Sequence, residues 1–183
     1  EVIKQRKEIV KFTSGVSINN LSLNENDIGD FRTFLKLSPP LRTEEDRAAL
    51  VQGLKDESID VIVSDHKPED EESKRLTFSQ AATGASGIET LLSLSLELYH
   101  NGSLKLETII KALTSNPAKI LKINKGNLSI GNDADLSIVD INKPWIVKKE
   151  KLVSKSKNTS IEDKKLQGKV INTFVKGKEL FKL

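Results

Sequence analysis

The sequence contains no cysteine and no long apolar run, and each absence excludes a class of protein or site. Without cysteine the chain forms no disulfide, no thiolate metal site and no cysteine nucleophile, which fits a reducing compartment. No apolar stretch approaches the ~20 residues of a membrane-spanning helix, and no signal peptide is visible. These absences favour a cytoplasmic protein that does not bind membranes.

Methionine is also absent, and histidine occurs only twice, as His66 and His100. Because there is no methionine, Glu1 is not an initiating residue. Either the N-terminus has been processed or the chain is a piece of a longer protein. The motifs described below favour a piece of a longer protein.

The charged residues are numerous but balanced, with 29 Lys and Arg against 26 Asp and Glu and a net charge of +3. Both signs are interspersed, whereas a nucleic-acid-binding surface concentrates Lys and Arg on one stripe. A hydrophobic fraction of 37% is ordinary for a globular protein and too high for a wholly disordered chain. We therefore expect a globular protein without a nucleic-acid partner.

Segments typical of strands and helices alternate along the first two thirds of the sequence. Ile9 to Ser17 is rich in β-branched residues, and Ile59 to Ser64 is an apolar run typical of a strand buried on both faces. The predicted helices cover residues 1–8, Thr43–Lys55, Gly87–Tyr99, Leu106–Leu113 and a segment that begins at Asn116-Pro117, and polar loops cover residues 18–42 and 67–86. Thr43 is the expected N-cap of its helix. This alternation predicts a parallel α/β architecture.

From about Gly126 the sequence changes to a β pattern. Leu136 to Ile141 is a predicted strand, and Lys169–Val175 and Glu179–Lys182 are predicted to form a hairpin around Lys176-Gly177. This tail is expected to form β structure beside the α/β part.

Asp65 is the residue with the strongest local signal for chemistry, because it follows the buried strand that includes Val61 to Val63. Barrels built from parallel strands place catalytic groups at the carboxyl ends of those strands. A carboxylate there can bind a divalent metal and accept a proton. The alternative is that Asp65 only caps the next turn, and the strand and its Asp65-His66 end do not decide between the two.

Six motifs extend this local signal over nearly the whole chain. They are Ser38–Arg47 (SPPLRTEEDR), Ser64–His66 (SDH), Gly84–Thr90 (GASGIET), Thr114–Ala118 (TSNPA), Gly131–Leu136 (GNDADL) and Ser154–Thr159 (SKSKNT). In this order they resemble the motifs of dihydroorotases, members of the cyclic amidohydrolase superfamily. The last motif points most narrowly to dihydroorotases, and the charged loop after Asp65-His66 most resembles their alphaproteobacterial branch.

The resemblance implies the C-terminal portion of a (β/α)8 TIM-type metal-dependent hydrolase barrel plus a small β domain. Residues 1–124 would form the last three barrel strands with their helices, and residues 125–183 the small domain. The implied reaction is the reversible conversion of N-carbamoyl-aspartate to dihydroorotate in pyrimidine biosynthesis, with one or two zinc ions in the family. The expected partners are the small-molecule substrate and a second copy of the chain in a homodimer.

The resemblance also assigns site residues by position. Asp65 matches the aspartate that shuttles the proton and binds metal, and Asn20 stands where the family has a histidine ligand. Substrate contacts are implied for the following positions: Ser38, Arg42, Glu69, Thr83 and Gly84.

Several of these positions depart from the family pattern. No His-x-His pair is present, Asn19-Asn20 replaces a His-His pair, Ser38 replaces asparagine and Glu69 replaces histidine. Asparagine is a poor zinc ligand, and a carboxylate at Glu69 would repel a dicarboxylate substrate unless Lys67 compensates. We therefore expect the 183-residue chain alone to bind no zinc and to be inactive.

Two alternatives to a dihydroorotase remain open at this point. One is a non-catalytic dihydroorotase-like subunit that supports aspartate transcarbamoylase, which the departures favour. The other keeps the chemistry but acts on a different ring, as hydantoinases and allantoinases do.

Overall fold

The computed structural model describes residues 2–7 and 9–183, in which two short strands pair in parallel. Strand β1 (Gly15–Ser17) lies beside β2 (Val61–Val63), with Ser17 opposite Val63. The parallel pairing confirms the α/β prediction. The predicted strand from Ile9 is too long, because Ile9 and Val10 are 74% and 56% exposed and lie in a turn.

Helices surround this small sheet and connect it to the rest of the chain. The α-helices are α1 (Val2–Lys7), α2 (Ile18–Ser22), α3 (Glu44–Lys55), α4 (Glu71–Lys74), α5 (Leu91–His100), α6 (Leu106–Leu113) and α7 (Ser115–Leu121), and 3-10 turns cover Glu25–Ile28, Thr33–Leu35 and Lys149–Lys151. Glu1 and Glu8, which the first helix prediction included, lie outside the described residues. Across residues 2–7 and 9–183, no helix combines the length and the apolarity needed to cross a membrane.

Helix α3 begins where the sequence predicts. The Thr43 hydroxyl accepts a hydrogen bond from the backbone N–H of Asp46 at 3.2 Å, which satisfies one of the free donors at the helix start. Three acidic residues in the first turn add a favourable interaction with the helix dipole. The helix buries Val51 and Leu54 in the core.

A second sheet is formed by the C-terminal part of the chain. Its strands β3 (Leu136–Ile146), β4 (Lys165–Val175) and β5 (Lys178–Lys182) are antiparallel in the order β3-β4-β5. The hairpin predicted around Lys176-Gly177 is confirmed. Strands β3 and β4 are longer than predicted, and the pairing between them is interrupted by register shifts between Ile138 and Val139 and between Asp140 and Pro144.

Helix α5 packs against the antiparallel sheet. The Ser93 hydroxyl on α5 donates to the Gly168 carbonyl on β4 at 2.6 Å and accepts from the indole N–H of Trp145 on β3 at 3.1 Å. Gly168 has a φ of +97° and lies so close to Leu96 that a side chain there would overlap it. Apolar residues from both parts of the chain, from Val16 to Leu166, form one continuous core.

Candidate functional site

The ends of β1 and β2 bring two candidate residues to the same edge of the parallel sheet. Since Ser17 is opposite Val63, the chain leaves both strands at this edge, towards Asn20 in one case and Asp65 in the other. Ligand sites in open parallel sheets lie outside the carboxyl ends of the strands. This edge is therefore the candidate site.

Asp65 is half-buried and has a φ of +47°, in the left-handed region. Few residues other than glycine adopt this conformation, and such residues are frequent at functional sites. Within the described part of the chain, no group donates a hydrogen bond to the Asp65 carboxylate. The turn-capping alternative therefore has no contact to support it, and the carboxylate is free to act on a ligand.

His66 holds the glycine-rich loop against the end of β2. Its Nδ1 accepts hydrogen bonds from the backbone N–H groups of Gly87 and Ile88, at 3.2 and 3.3 Å. The backbone of His66 pairs with Ala85 in a parallel bridge, and Lys67 N–H donates to the Ala85 carbonyl at 2.9 Å. The contacts of His66 are structural, and they place the loop beside Asp65.

Gly84 makes the closest approach between this loop and the segment after Asp65. Its φ is +141°, and a Cβ atom at this position would lie 2.6 Å from the Lys67 carbonyl oxygen. Its N–H donates to the Lys36 carbonyl at 2.9 Å. Only glycine fits this backbone without strain, so Thr83 and Gly84 are held next to the candidate site.

Glu69 is the acidic side chain of the segment that follows Asp65. It is half-buried, and one carboxylate oxygen lies 3.7 Å from the Lys67 ammonium nitrogen. Its backbone N–H donates to Asn158 Oδ1 at 3.3 Å, and its carbonyl accepts from the Ser156 hydroxyl. The structure thus brings Glu69 and Gly84 to the same region through the C-terminal part of the chain.

Ser38 and Arg42 are both exposed. The Arg42 guanidinium faces helix α3, where its Nε lies 3.6 Å from an Asp46 carboxylate oxygen. Their segment approaches the strand ends through Pro40, whose carbonyl accepts a hydrogen bond from Asn20 Nδ2 at 3.0 Å.

Asn19 and Asn20 are buried but incompletely hydrogen-bonded. Asn20 Oδ1 and Asn19 Nδ2 have no partner among the described residues, although Asn19 Oδ1 accepts from the Ser160 hydroxyl at 2.8 Å. An amide oxygen is neutral and hard, whereas zinc prefers imidazole, thiolate or carboxylate ligands. Residues 2–7 and 9–183 contain no group of three His, Cys, Asp or Glu side chains placed to hold a metal. Taken alone, these residues therefore do not fit a zinc site, and Asp65 is the single suitable donor at the strand ends.

Lys74 is a buried cation that the sequence did not reveal. It is 2% exposed, and its ammonium donates to the carbonyls of Thr33 and Ala82 at 3.0 and 2.8 Å. Burial lowers the pKa of Lys74 to about 8; nearby Glu69 opposes this shift, and Lys36 and Lys67 add to it. Lys74 thus connects the Thr33 segment to the residues just before Thr83-Gly84.

This lowered pKa predicts that the chain becomes more stable as the pH rises above 8. The pKa of Lys74 in the folded chain lies below the ordinary lysine value of 10.5, so the unfolded chain binds the proton more tightly. Below pH 8 the Lys74 ammonium is charged in the folded chain, and burying this charge lowers the free energy of unfolding by its full amount. Between pH 8 and 10.5 this destabilisation disappears. Between pH 7.5 and 9.5 we expect the free energy of unfolding to rise by about 2 kcal/mol relative to Lys74→Met.

Urea titrations at several pH values would measure this difference, with Lys119→Met at an exposed position as the control. The control should keep the pH profile of the unmodified chain. Parallel profiles for the chain and Lys74→Met would contradict the prediction.

Three polar residues of the C-terminal part and the glycine-rich loop complete the site. Asn158 and Ser86 are 3% and 5% exposed, and the Glu89 carboxylate accepts from the backbone N–H groups of Val153 and Ser154 at 2.9 and 3.0 Å. A cleft of about 880 Å³ lies where these segments meet. His66, Glu69, Lys155 and Asn158 are among the residues that line it, whereas Asp65, Thr83 and Gly84 are not. The motif Ser154–Thr159 marked this segment in the sequence, but its contacts depend on the fold.

The site can be compared with known proteins. A profile of the Amidohydrolase family matches residues 7–180. The dihydroorotase of Ehrlichia canis is 43% identical over 98% of this chain and 40% of its own length, and that of Wolbachia sp. subsp. Drosophila simulans is 41% identical over 99% of this chain and 41% of its own length. These similarities confirm the predicted resemblance to dihydroorotases and to their alphaproteobacterial branch.

A solved structure has the same fold as this chain. The L-hydantoinase of Arthrobacter aurescens superimposes with a TM-score of 0.93 and 27% identity, covering 99% of this chain and 42% of the hydantoinase chain. The chain spans about two fifths of the length of the curated relatives that it matches. By its sequence, its fold and the arrangement of its strand ends, the chain belongs to the amidohydrolase family.

Proposed function

We propose that the whole protein hydrolyses a cyclic amide of the dihydroorotate type and that Asp65 moves the proton in this reaction. The observation that carries the proposal is the placement of Asp65: a carboxylate without a protein hydrogen-bond partner among the described residues, at the end of β2. The identity to dihydroorotases supports the substrate class. The amidohydrolase fold supports a (β/α)8 barrel whose last part is residues 1–124, with a small β domain at residues 125–183.

In this proposal the chain's own residues bind the ring and handle its proton. Thr83 and Gly84 are held against the segment after Asp65. Since the Gly84 N–H donates to Lys36 and its carbonyl accepts from Asn158, the backbone of Thr83 is the part that would hydrogen-bond a cyclic amide. As a water molecule attacks the ring carbonyl carbon, the Asp65 carboxylate accepts one of its protons; when the C–N bond breaks, Asp65 returns that proton to the leaving nitrogen, so the opened ring ends in a carboxyl group and an N–H. Ser38 lies on the neighbouring loop and would bind the polar end of the substrate; Arg42, whose guanidinium lies against Asp46, would have to turn away from helix α3 to do the same.

Zinc is the metal that the resemblance implies, and it would supply a Lewis acid. The described residues offer Asp65 as one carboxylate ligand and Asn20 as a weak one, which does not complete a site. We propose that Asn20 lowers zinc affinity relative to a histidine. Asn20→His should therefore bind zinc more tightly, and equal zinc affinity in both proteins would contradict this proposal.

The decisive experiment is turnover by the protein purified at its natural length and supplied with zinc. Hydrolysis of dihydroorotate is the expected result. A protein that hydrolyses neither dihydroorotate nor hydantoin would contradict the proposal and favour the non-catalytic alternative, in which the protein supports aspartate transcarbamoylase. Co-purification with that enzyme would then be the next measurement.

A second candidate substrate is a ring without a carboxylate, such as a hydantoin, and Glu69 favours it. A carboxylate on the substrate would lie near a half-buried glutamate, which Lys67 at 3.7 Å and the nearby Lys74 partly neutralise. Two like charges a few ångströms apart near a protein surface repel by about 4 kcal/mol before compensation. With this partial compensation, we expect Glu69→Gln to lower KM for dihydroorotate by about tenfold, equivalent to about 1.4 kcal/mol, and to leave KM for hydantoin unchanged.

Steady-state kinetics on both rings would test this. Glu107→Gln is the matched control, because Glu107 is exposed, pairs with Lys111 on the surface and lies outside the cleft that Glu69 lines. An equal change in KM for both rings in Glu69→Gln would show that the charge of Glu69 does not select the substrate.

A further inference from the structure

We infer that Asn158 is a positioning residue that sets the distance between the two loops of the candidate site. This inference rests on the proposed function, because these loops carry Glu69 and Thr83-Gly84. Asn158 lies almost 90 residues from Glu69 in sequence and is 3% exposed. It does not touch the reacting atoms in this proposal and acts only through the loops.

The acceptor end of the Asn158 amide holds the first loop. Oδ1 accepts from the backbone N–H of Glu69 at 3.3 Å. The Ser156 hydroxyl lies between Oδ1 and the Glu69 carbonyl, and its single hydrogen can point to either oxygen. The Ser86 hydroxyl also lies 3.3 Å from Oδ1, although its single hydrogen can instead point to the Ser156 carbonyl at 3.1 Å. The Glu69 contact fixes the backbone of the loop that follows Asp65.

The donor end of the same amide holds the second loop. Asn158 Nδ2 donates to the Gly84 carbonyl at 3.1 Å, and the Asn158 carbonyl accepts from the Ser86 N–H at 3.1 Å. A backbone N–H only donates and a carbonyl only accepts, so the two contacts fix which way the amide faces. Position 158 therefore requires a side chain with an acceptor and a donor on one short, planar group.

The segment that carries Asn158 is itself anchored on both sides. Before Asn158, Glu89 binds the N–H groups of Val153 and Ser154; after it, the Ser160 hydroxyl donates to Asn19 Oδ1 at 2.8 Å. Because the segment is fixed at these points, the Asn158 amide holds the two loops at a fixed distance from each other. A change in the amide would move the loops relative to each other and leave the segment in place.

The substitution Asn158→Asp separates the two halves of this contact. It preserves size and the acceptor for Glu69 N–H, but it removes the donor and places a carboxylate oxygen against the Gly84 carbonyl. In residue-resolved hydrogen exchange at pH 8, we expect the amides of residues 84–86 to exchange at least about tenfold faster, while the Glu69 amide changes by less than about threefold. Asn158→Leu should release both loops, since it offers neither group.

Lowering the pH should reverse the effect of Asn158→Asp. A protonated carboxyl group regains a donor, and burial favours protonation. The ratio of variant to unmodified exchange at residues 84–86 should return towards one as the pH falls from 8 to 5. Asn172→Asp on β4 is the control, because Asn172 contacts Glu179 and lies away from both loops; it should leave residues 69 and 84–86 unchanged.

Two results would overturn the inference. Unchanged exchange at residues 84–86 in Asn158→Asp would show that the amide does not hold the second loop. Faster exchange spread equally over the core residues of α5 and α6 would show that Asn158 stabilises the fold as a whole and positions nothing.

The exchange experiment needs no substrate, so its outcome is independent of whether the protein hydrolyses a cyclic amide. In a protein of natural length that turns over its ring, we expect Asn158→Asp to raise KM about tenfold with kcat within about threefold. A loss confined to kcat would also contradict the inference, whereas absence of turnover in the unmodified protein would refute only the proposed function.

Discussion

Asp65→Asn is expected to reduce hydrolysis of the cyclic amide by about 10³-fold, because asparagine cannot accept the proton that the reaction must move. The substitution preserves the size of the side chain. Since no described group donates a hydrogen bond to the carboxylate, its removal breaks no contact of the fold. Asparagine also tolerates the left-handed backbone at this position, where φ is +47°.

The effect of Asp65→Asn would be measured as kcat/KM, with the urea midpoint of unfolding recorded for the same sample. Asp30→Asn at an exposed position is the matched control and should leave both quantities unchanged. A fully active Asp65→Asn protein would remove Asp65 from the chemistry. A protein that loses activity only because it unfolds at lower urea would assign Asp65 to the fold.

Gly84→Ala is expected to lower the free energy of unfolding by about 2–4 kcal/mol. Two costs add here: a φ of +141° that side chains rarely adopt, and a Cβ atom that would lie 2.6 Å from the Lys67 carbonyl oxygen. The second cost falls on backbone, which cannot turn away as a side chain would. The loop carrying Thr83 must then separate from the segment after Asp65, so substrate affinity should fall as well.

Gly102→Ala separates these two costs. Gly102 also has a positive φ, +75°, but nothing lies within 4 Å of a Cβ atom there. We expect a loss of about 1 kcal/mol from backbone strain alone. Urea titration of both variants measures the difference in the free energy of unfolding. Equal losses of this free energy would show that the short distance between Gly84 and the Lys67 carbonyl does not affect stability.

The parts of the fold that were predictable from the sequence depend on short-range chemistry. The capping residue Thr43, the turn at Lys176-Gly177 and the apolar run that contains β2 each satisfy a local requirement of the backbone. The alternation of elements also identified the parallel pairing. The ends of elements were less predictable where tertiary contacts decide them.

Helix α5 illustrates such a tertiary effect. Its apolar pattern begins at Gly87, but the N–H groups of Gly87 and Ile88 bind the His66 ring, and the helix starts at Leu91. In the same way the Ile9 segment has β-branched residues but no strand beside it among the described residues, so it remains irregular.

The positions of the candidate site residues were predictable only through motifs, and their supporting contacts were not. Asn158 lies in the motif Ser154–Thr159, yet the role proposed for it depends on contacts with residues more than 70 positions away. Lys74 follows a run of acidic residues that is typical of a solvated surface, and only the fold shows that its ammonium is buried between two carbonyls.

The hydrogen-bonded chain from Trp145 through Ser93 to Gly168 has a practical consequence. Trp145 is the single tryptophan of the sequence, and the Lys169 ammonium lies 4.5 Å from the centre of its ring. Its fluorescence therefore reports on the seam between α5 and the antiparallel sheet and on no other part of the chain. Unfolding of that seam can be followed optically while hydrogen exchange follows the site loops, so the order in which the two parts open becomes a measurable quantity.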